Sequence, residues 1–225
     1  MRVLYHWPLD PGSRQARIAL AETKLKFKLE TVNPWAPEPG FTALCAEGVP
    51  PALVDVISGG KVTIAGPRAI CEYLAETSKK VSLLPNSPTD RAEMRRLCDW
   101  MATKFTHDVQ AYIMHERVEK TILGHEPPHP PTLREGRENL QLHLEYFAWL
   151  LERRDYMAGH KFSLADIACF SHLSCLDFVG EIRWRDHKAL KEWYQKIKSR
   201  PSVQPLLSDR IASIIPPRHY RDLDF

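Results

Sequence analysis

Glycine is scarce in this sequence, with ten in 225 residues, and no apolar run reaches about 18 residues. A helix that spans a membrane needs such a run, so we expect no membrane insertion. The opening residues, MRVLYHW, also lack the apolar stretch of a secretory signal. The glycines form no phosphate-binding loop, and no Ser-His-Asp set or paired-acid motif stands out.

The five cysteines include no CxxC pair and no metal-like spacing with histidine. We expect free thiols in the reducing cytoplasm. His125 and His129 flank prolines, but without cysteines or clustered carboxylates beside them they do not indicate a metal site. The net charge is only +3 and the basic residues are scattered, which argues against a nucleic-acid partner.

Hydrophobic patterning divides the chain into two kinds of structure. The first part shows a strand–helix–strand pattern, an irregular helix or loop, a β-hairpin and a closing helix, which indicates a small α/β unit. The second part is helical up to a tail, so the fold class is α/β plus all-α. We predict an α/β domain over residues 1–80, a linker over 81–88 and an all-helical domain with an extended tail over 89–225.

Capping residues mark four predicted helix starts. They are Ser13, Ser87, the pair Thr132 and Glu135, and the pair Ser163 and Asp166. Asp166 is an acidic residue in an apolar stretch, and we interpret it as a structural cap whose carboxylate accepts backbone N–H groups.

Five stretches together resemble the glutathione transferase superfamily. They are SRQARIALAE, GVPPALVD, GPRAICEYL, FSLADIACF and WYQKIKSRPSV. The second is similar to the family's Val-Pro-x-Leu turn, with Pro51 in the place of its cis-proline and Pro50 in the place of its valine. The resemblance implies an N-terminal thioredoxin-like domain followed by a C-terminal helical bundle domain.

The resemblance also implies a glutathione site with replaced binding residues. In the family, the backbone beside the cis-proline pairs with the peptide, and a Glu/Gln-Ser pair at the third helix holds the γ-glutamyl carboxylate. Gly66 and Pro67 stand in the place of that pair, and proline brings neither hydroxyl nor N–H. Two lost hydrogen bonds to a charged group cost about 1.5–3 kcal/mol each, which lowers affinity roughly a hundredfold or more. Pro51 could keep its backbone contact, and Arg68 could restore some attraction.

The hydroxyl that stabilises the glutathione thiolate in the family is replaced as well. Counting back from ARIAL, Asp10 falls in the place of the catalytic serine, and its carboxylate would repel a thiolate unless it were protonated. Ser13 offers the one nearby hydroxyl, which we assign to the helix cap. We therefore expect no catalytic residue and no cofactor, with glutathione bound only under the alternative function given below.

Three features indicate contact surface. Trp35 lies in a proline-rich segment that Phe41 follows, and either aromatic ring could bind a partner or cover the core of the small domain. The tail, HYRDLDF, has aromatic and apolar residues that could dock either onto this protein or onto a partner. Glu116 and Glu119 lie about one helical turn apart, a spacing that usually marks a solvated face.

Several stretches, among them LYHWPLDPGSRQARIAL, HERVEK and IKSRPS, resemble a cell-division branch of the superfamily. That branch keeps the fold, dimerises, is regarded as non-catalytic and binds polymers of the tubulin-like protein FtsZ. The likeness implies filament contact through Trp35, Glu119, Arg221, Asp222, Leu223, Asp224 and Phe225.

These observations leave two main functions open. The first is a homodimeric, non-enzymatic adaptor that binds FtsZ polymer in the cytoplasm at the division site, where two-fold symmetry would double a weak contact. The alternative is an active glutathione S-transferase that conjugates glutathione to electrophiles, using Ser13 or another polar group, with Arg68 holding the carboxylate. A weaker third option is a structural partner in a larger complex.

Overall fold

Four strands in the first part of the chain form one mixed sheet. The structure is a computed structural model that describes residues 1–78 and 81–225. The strands are β1 (Arg2–His6), β2 (Phe27–Thr31), β3 (Ala52–Ile57) and β4 (Gly60–Ala65). The sheet order is β2-β1-β3-β4, with β1 parallel to β2 and antiparallel to β3, and with β3 and β4 as a hairpin.

Three helices complete this part of the fold, namely α1 (Pro11–Glu22), α2 (Pro39–Thr42) and α3 (Pro67–Thr77). Helices α1 and α3 pack against each other. Ile18 and Leu20 of α1, Ile70 of α3 and Leu4 of β1 are fully buried. This apolar layer fixes the starts of α1 and α3, where the resemblance places the glutathione site.

The second part of the chain is helical. Its helices are α4 (Pro88–Trp100), α5 (Ala111–Met114), α6 (Lys120–Leu123), α7 (Pro130–Leu151), α8 (Leu164–Phe178) and α9 (Lys188–Lys198). Wide π-type turns over Met101–Gln110 and His115–Glu119 join α4, α5 and α6 into one long helix. Short 3-10 turns follow at Trp184–Asp186, Gln204–Ser208 and Arg218–Tyr220.

The described residues divide into two compact units, 1–84 and 85–225. The α/β and all-helical classes predicted from the sequence are therefore confirmed. The predicted boundary at residue 80 lies outside the described residues, and the domain limits stay a prediction. The tail contains a 3-10 turn at Arg218–Tyr220, so the prediction of an extended tail is wrong over those residues.

Helix α8 forms the centre of the second unit, because every one of its residues is buried. Ser163 and Asp166 make the predicted capping box at its start. The Asp166 carboxylate accepts the N–H groups of Met157 and Ser163 and the indole N–H of Trp193, each at 2.9 Å. Burial raises the pKa of Asp166. The structural interpretation of this residue is confirmed.

Two of the predicted helix caps are wrong. Helix α1 begins two residues before Ser13, and Asp10 is its cap, because Pro11 is already set for the first helical position. In α7 the prolines again set the start, so His129 precedes the helix and Thr132 lies inside it. The Thr132 hydroxyl contacts Nδ1 of His129 at 2.8 Å. The predicted cap of α4, Ser87, is confirmed by its bond from the Asp90 N–H at 3.3 Å.

The partner predicted for Thr132 in a capping box, Glu135, has a different role. Its carboxylate accepts a hydrogen bond from the Tyr112 hydroxyl at 3.2 Å. The glutamate therefore links α7 to α5 instead of reaching back to the start of its own helix.

Candidate functional site

The tip of α3 is the first candidate site, and its backbone is held by the turn at Pro51. The Pro50–Pro51 peptide bond is cis, as the resemblance implies. The N–H of Gly66 donates to the Pro51 carbonyl at 3.0 Å, and the Gly66 carbonyl accepts from the N–H of Ile70 at 3.1 Å. Gly66 has φ +84°, a left-handed conformation that glycine adopts without a steric penalty.

Gly12 brings the parts of this site together, and the sequence reasoning missed it. A Cβ atom placed on Gly12 would lie 3.1 Å from Cγ of Pro67, 3.2 Å from Oδ2 of Asp10 and 3.2 Å from Cδ of Pro51. The three predicted site residues therefore meet around one glycine in the first turn of α1. The available signal was a glycine inside a helix, where alanine is favoured unless space is needed.

Asp10 and Ser13 stabilise the start of α1. Oδ2 of Asp10 accepts the N–H of Ser13 at 2.5 Å, and Oγ of Ser13 accepts the N–H of Trp7 at 3.0 Å. Burial raises the pKa of Asp10. Asp10 caps α1, and Ser13 is fully buried with its hydroxyl already bonded to Trp7.

Arg68, the remaining cation at this tip, has a half-exposed side chain. Its Nε lies 3.6 Å from the carboxylate of Glu72, one turn further along α3. An anion at the tip would share Arg68 with that carboxylate. Arg68 would therefore replace less of the attraction that is lost with the donors at Gly66 and Pro67.

The aromatic residues near α2 separate into a core residue and a surface residue. Phe41 is 4% exposed and packs on Tyr5, with ring centroids 5.7 Å apart. Trp35 is half-buried, and its ring meets the edge of Trp7 at 5.5 Å. Phe41 thus covers the core, while Trp35 keeps part of its indole accessible.

The tail residues form the second candidate site, in the helical unit, where a lysine from α9 lies beneath them. Lys198 is fully buried, and its ammonium group donates to the carbonyls of His219 at 2.8 Å and Asp222 at 2.6 Å. The same nitrogen lies 4.3 Å from the ring centroid of Phe225. Burial lowers the pKa of Lys198 to about 8, against the opposing effect of Asp177 and Asp222.

A buried carboxylate on α8, Asp177, anchors the other side of this tail. It accepts the indole N–H of Trp184 at 2.7 Å and the hydroxyl of Tyr194 at 3.0 Å. His219 reaches the same carboxylate, with its Nε2 2.9 Å from Oδ1 of Asp177. The tail is therefore held at His219 from two sides, through its ring and through its carbonyl.

The end of the tail packs on aromatic rings. Phe225 lies edge-on to Trp184 at 5.7 Å and next to His219 at 5.3 Å, and its carbonyl accepts from Nε2 of Gln195 at 3.1 Å. Arg221, Asp222 and Asp224 are exposed, and Leu223 and Phe225 are half-buried. Of the two docking modes considered for the tail, the structure shows docking onto this protein.

The two glutamates of the long helix differ in environment. Glu116 is 3% exposed, pairs with Lys120 at 2.8 Å and accepts the N–H of His129 at 2.7 Å, so its assignment to a solvated face is wrong. Glu119 is half-buried and lies 2.9 Å from Nδ1 of His115. Glu116 therefore holds the loop before α7, and Glu119 is the glutamate with accessible surface.

Comparison with known proteins identifies the family. Residues 11–77 match the glutathione S-transferase N-terminal domain, and residues 133–210 match the glutathione S-transferase C-terminal domain. The chain belongs to the glutathione S-transferase family. Within this family, FtsZ-localized protein A of Caulobacter vibrioides is 45% identical over 224 residues, which cover 100% of this chain and 98% of that protein.

Solved structures of the family match the chain over its full length. The structure titled FzlA from C. crescentus superposes with a TM-score of 0.97 at 45% identity, covering 100% of this chain and 99% of that one. A glutathione S-transferase from Rhodospirillum rubrum superposes with a TM-score of 0.95 at 42% identity, with 100% of each chain covered.

Residues 1–78 and 81–225 contain neither a membrane-spanning helix nor a cluster of metal ligands. In this part of the chain no helix combines the length and the apolar character that crossing a bilayer requires. The same described residues contain no group of three or more His, Cys, Asp or Glu side chains that could hold a metal ion.

Proposed function

We propose that this chain is a non-enzymatic, homodimeric adaptor that binds FtsZ filaments and regulates cell division in the cytoplasm at the division site. The similarity to FtsZ-localized protein A, at 45% identity over the whole chain, supports the choice of partner. The observation that carries the proposal is the docked tail. It offers an ordered set of exposed polar groups, whereas the tip of α3 offers few groups for a small anion.

The proposed filament contacts lie on both units. Trp35 has accessible indole surface, and Glu119 keeps part of its carboxylate exposed. The remaining proposed contacts are the tail residues Arg221, Asp222, Leu223, Asp224 and Phe225. Tryptophan and arginine, the types of Trp35 and Arg221, are enriched in protein-binding hot spots.

The residues in the place of the family's glutathione site support a role without catalysis. Pro67 has no N–H to offer to a carboxylate, and Gly66 has no side chain. Asp10 and Ser13 are bonded to each other and to the backbone at the start of α1. A glutathione molecule would therefore meet fewer donors here than the family pattern provides.

A two-fold dimer suits this function. Each subunit would carry one filament-binding surface, so a dimer could engage two neighbouring sites on a polymer. The second contact then forms at a high effective concentration, and a weak single contact becomes a stable one.

Co-sedimentation with FtsZ polymer tests the proposal. The full chain is compared with a chain that ends at Tyr220, which keeps the buried Tyr220 ring and removes the five proposed contacts of the tail. The matched control replaces Lys188 and Glu192 by alanine, since both are exposed charges of the same unit. We expect the full chain and the control to pellet with the polymer and the truncated chain to stay in solution.

Either of two results would contradict the proposal. Equal pelleting of the full and truncated chains would remove the tail from the contact. Failure of every variant to pellet would remove FtsZ as the partner.

The alternative function is a working glutathione S-transferase. It is favoured by the 42% identity to the Rhodospirillum rubrum structure, which bears that name. Under this alternative the chain would be retained on a glutathione column and would conjugate glutathione to a standard electrophile. The adaptor proposal predicts neither result.

A further inference from the structure

The tail carries no regular hydrogen-bonded element beyond the turn at Arg218–Tyr220, yet it is fixed by side chains from the helical unit. Asp177 of α8 binds the ring of His219, and Lys198 of α9 binds the carbonyls of His219 and Asp222. Backbone carbonyls that accept from a buried cation are charge-assisted acceptors, which are stronger than neutral ones.

The position of Lys198 is unusual for a lysine, because the side chain is fully buried. A buried ammonium group is retained only where it is paired and hydrogen-bonded. Here the two carbonyls of the tail and the face of Phe225 surround the nitrogen, and the rings of Tyr194 and Tyr220 lie 5.9 Å away. The tail therefore completes the environment that this lysine needs.

The bonds made by Lys198 leave the two acidic side chains of the tail, Asp222 and Asp224, facing outward. They use the carbonyl of Asp222, so its carboxylate is free to accept the N–H of Asp224 at 3.0 Å. This internal bond closes a small turn that displays both acidic residues, which are exposed. The shape of this exposed turn thus depends on Lys198, which is buried beneath it.

We infer that Lys198 is the positioning residue of the filament-binding surface, and that the filament recognises the tail as a docked turn instead of as a flexible peptide. The inference rests on the proposed function for its partner, FtsZ polymer. A preformed turn binds without the ordering cost of a flexible segment, so the docked tail has the higher affinity.

Two variants on α9 test this inference. Lys198→Met keeps a long side chain and removes the donor to both carbonyls. Lys196→Met makes the same change at an exposed lysine of the same helix, whose nitrogen lies over Tyr156 and contacts the Asp155 carbonyl. Because Lys196 does not hold the tail, it is the matched control.

The first measurement is hydrogen exchange at the tail amides, which needs no partner. In Lys198→Met we expect the N–H groups of Asp222 and Asp224 to exchange at least about tenfold faster than in the unaltered chain. The control should leave both rates unchanged. Protected tail amides in a folded Lys198→Met variant would overturn the inference.

The second measurement is co-sedimentation with FtsZ polymer. We expect the pelleted fraction of Lys198→Met to fall by at least about tenfold at sub-saturating polymer, whereas Lys196→Met pellets normally. A released tail with undiminished pelleting would overturn the inference while leaving the adaptor function standing. If the unaltered chain did not pellet with the polymer, the adaptor function would be overturned. Hydrogen exchange would still show whether Lys198 holds the tail in place.

A third variant guards against misfolding of Lys198→Met. Phe225→Ala removes the outer ring contact and leaves the buried lysine in place. Its thermal unfolding should match that of the unaltered chain to within a few degrees. We expect faster exchange at Asp224 and weaker pelleting in this variant as well, and unchanged pelleting with a released tail would contradict the docked-turn mode of recognition.

A synthetic peptide with the sequence of residues 218–225 tests the mode of recognition directly. It carries every proposed tail contact but cannot be held by Lys198. We expect no competition with the full chain at a hundredfold excess of peptide over protein. Effective competition by the peptide would show that the filament binds a flexible segment, and it would overturn the inference.

Discussion

Replacing Pro67 by serine gives the tip of α3 two donors, a hydroxyl and a backbone N–H, at the place where the family binds the γ-glutamyl carboxylate. Each hydrogen bond to a charged group contributes about 1.5–3 kcal/mol. Together the two bonds would strengthen glutathione binding by about 3–6 kcal/mol, or roughly a hundredfold to ten-thousandfold. The turn at Pro51 that holds Gly66 is unchanged by the substitution.

The neighbouring substitution, Gly66→Gln, is a less clean test. A Cβ atom at Gly66 meets no other atom within 4 Å, so space is available. However, φ there is +84°, and a residue with a side chain in the left-handed region costs about 1–2 kcal/mol of stability. Pro67→Ser avoids this strain.

Isothermal titration calorimetry with glutathione measures the effect. Pro88→Ser is the matched control, because it makes the same change at the first position of α4 in the other unit. We expect tight binding to Pro67→Ser and weak, similar binding to the unaltered chain and the control. Micromolar binding to the unaltered chain, or no gain in Pro67→Ser, would show that the missing donors at Gly66 and Pro67 do not limit glutathione binding.

Three further predictions concern buried titratable groups. Asp166→Ala leaves the Trp193 indole and two backbone N–H groups without their acceptor, so the free energy of unfolding in urea should fall by about 3 kcal/mol or more; an unchanged midpoint would contradict the assigned bonds. The pKa of Lys198, about 8, lies below its ordinary 10.5, so between these values the unfolded chain binds more protons than the folded chain and stability should rise with pH; Lys198→Met should lose this rise. Burial lowers the pKa of His172 to about 3, so the unfolded chain binds more protons below pH about 6.5 and stability should fall as the pH drops. His172→Asn should show a shallower fall of stability with pH. An unchanged slope in that variant would contradict a neutral buried imidazole.

Local signals in the sequence predicted much of the fold. Capping is a property of four consecutive residues, which is why Ser87 and the pair Ser163 and Asp166 could be assigned without a structure. The errors at Ser13 and Thr132 share one cause, since a proline before each of them starts the helix earlier. In both cases the proline was the stronger of two competing local signals.

The parts of the site that the sequence did not reveal depend on contacts between distant residues. Lys198 meets the tail 21 and 24 residues further along the chain, and Asp177 meets His219 after 42. In the sequence, Lys198 is one of two basic residues in IKSR, and neither its type nor its neighbours along the chain show that it is fully buried. The role of Gly12 likewise appears only when α1, α3 and the turn at Pro51 are packed together.

Two assays on one protein preparation decide between filament binding through the tail surface and glutathione chemistry at the tip of α3. The protein is divided between co-sedimentation with FtsZ polymer and conjugation of glutathione to a standard electrophile at millimolar glutathione. The adaptor function predicts pelleting with the polymer and no conjugation above the uncatalysed rate. Conjugation by a protein that stays in solution would contradict it.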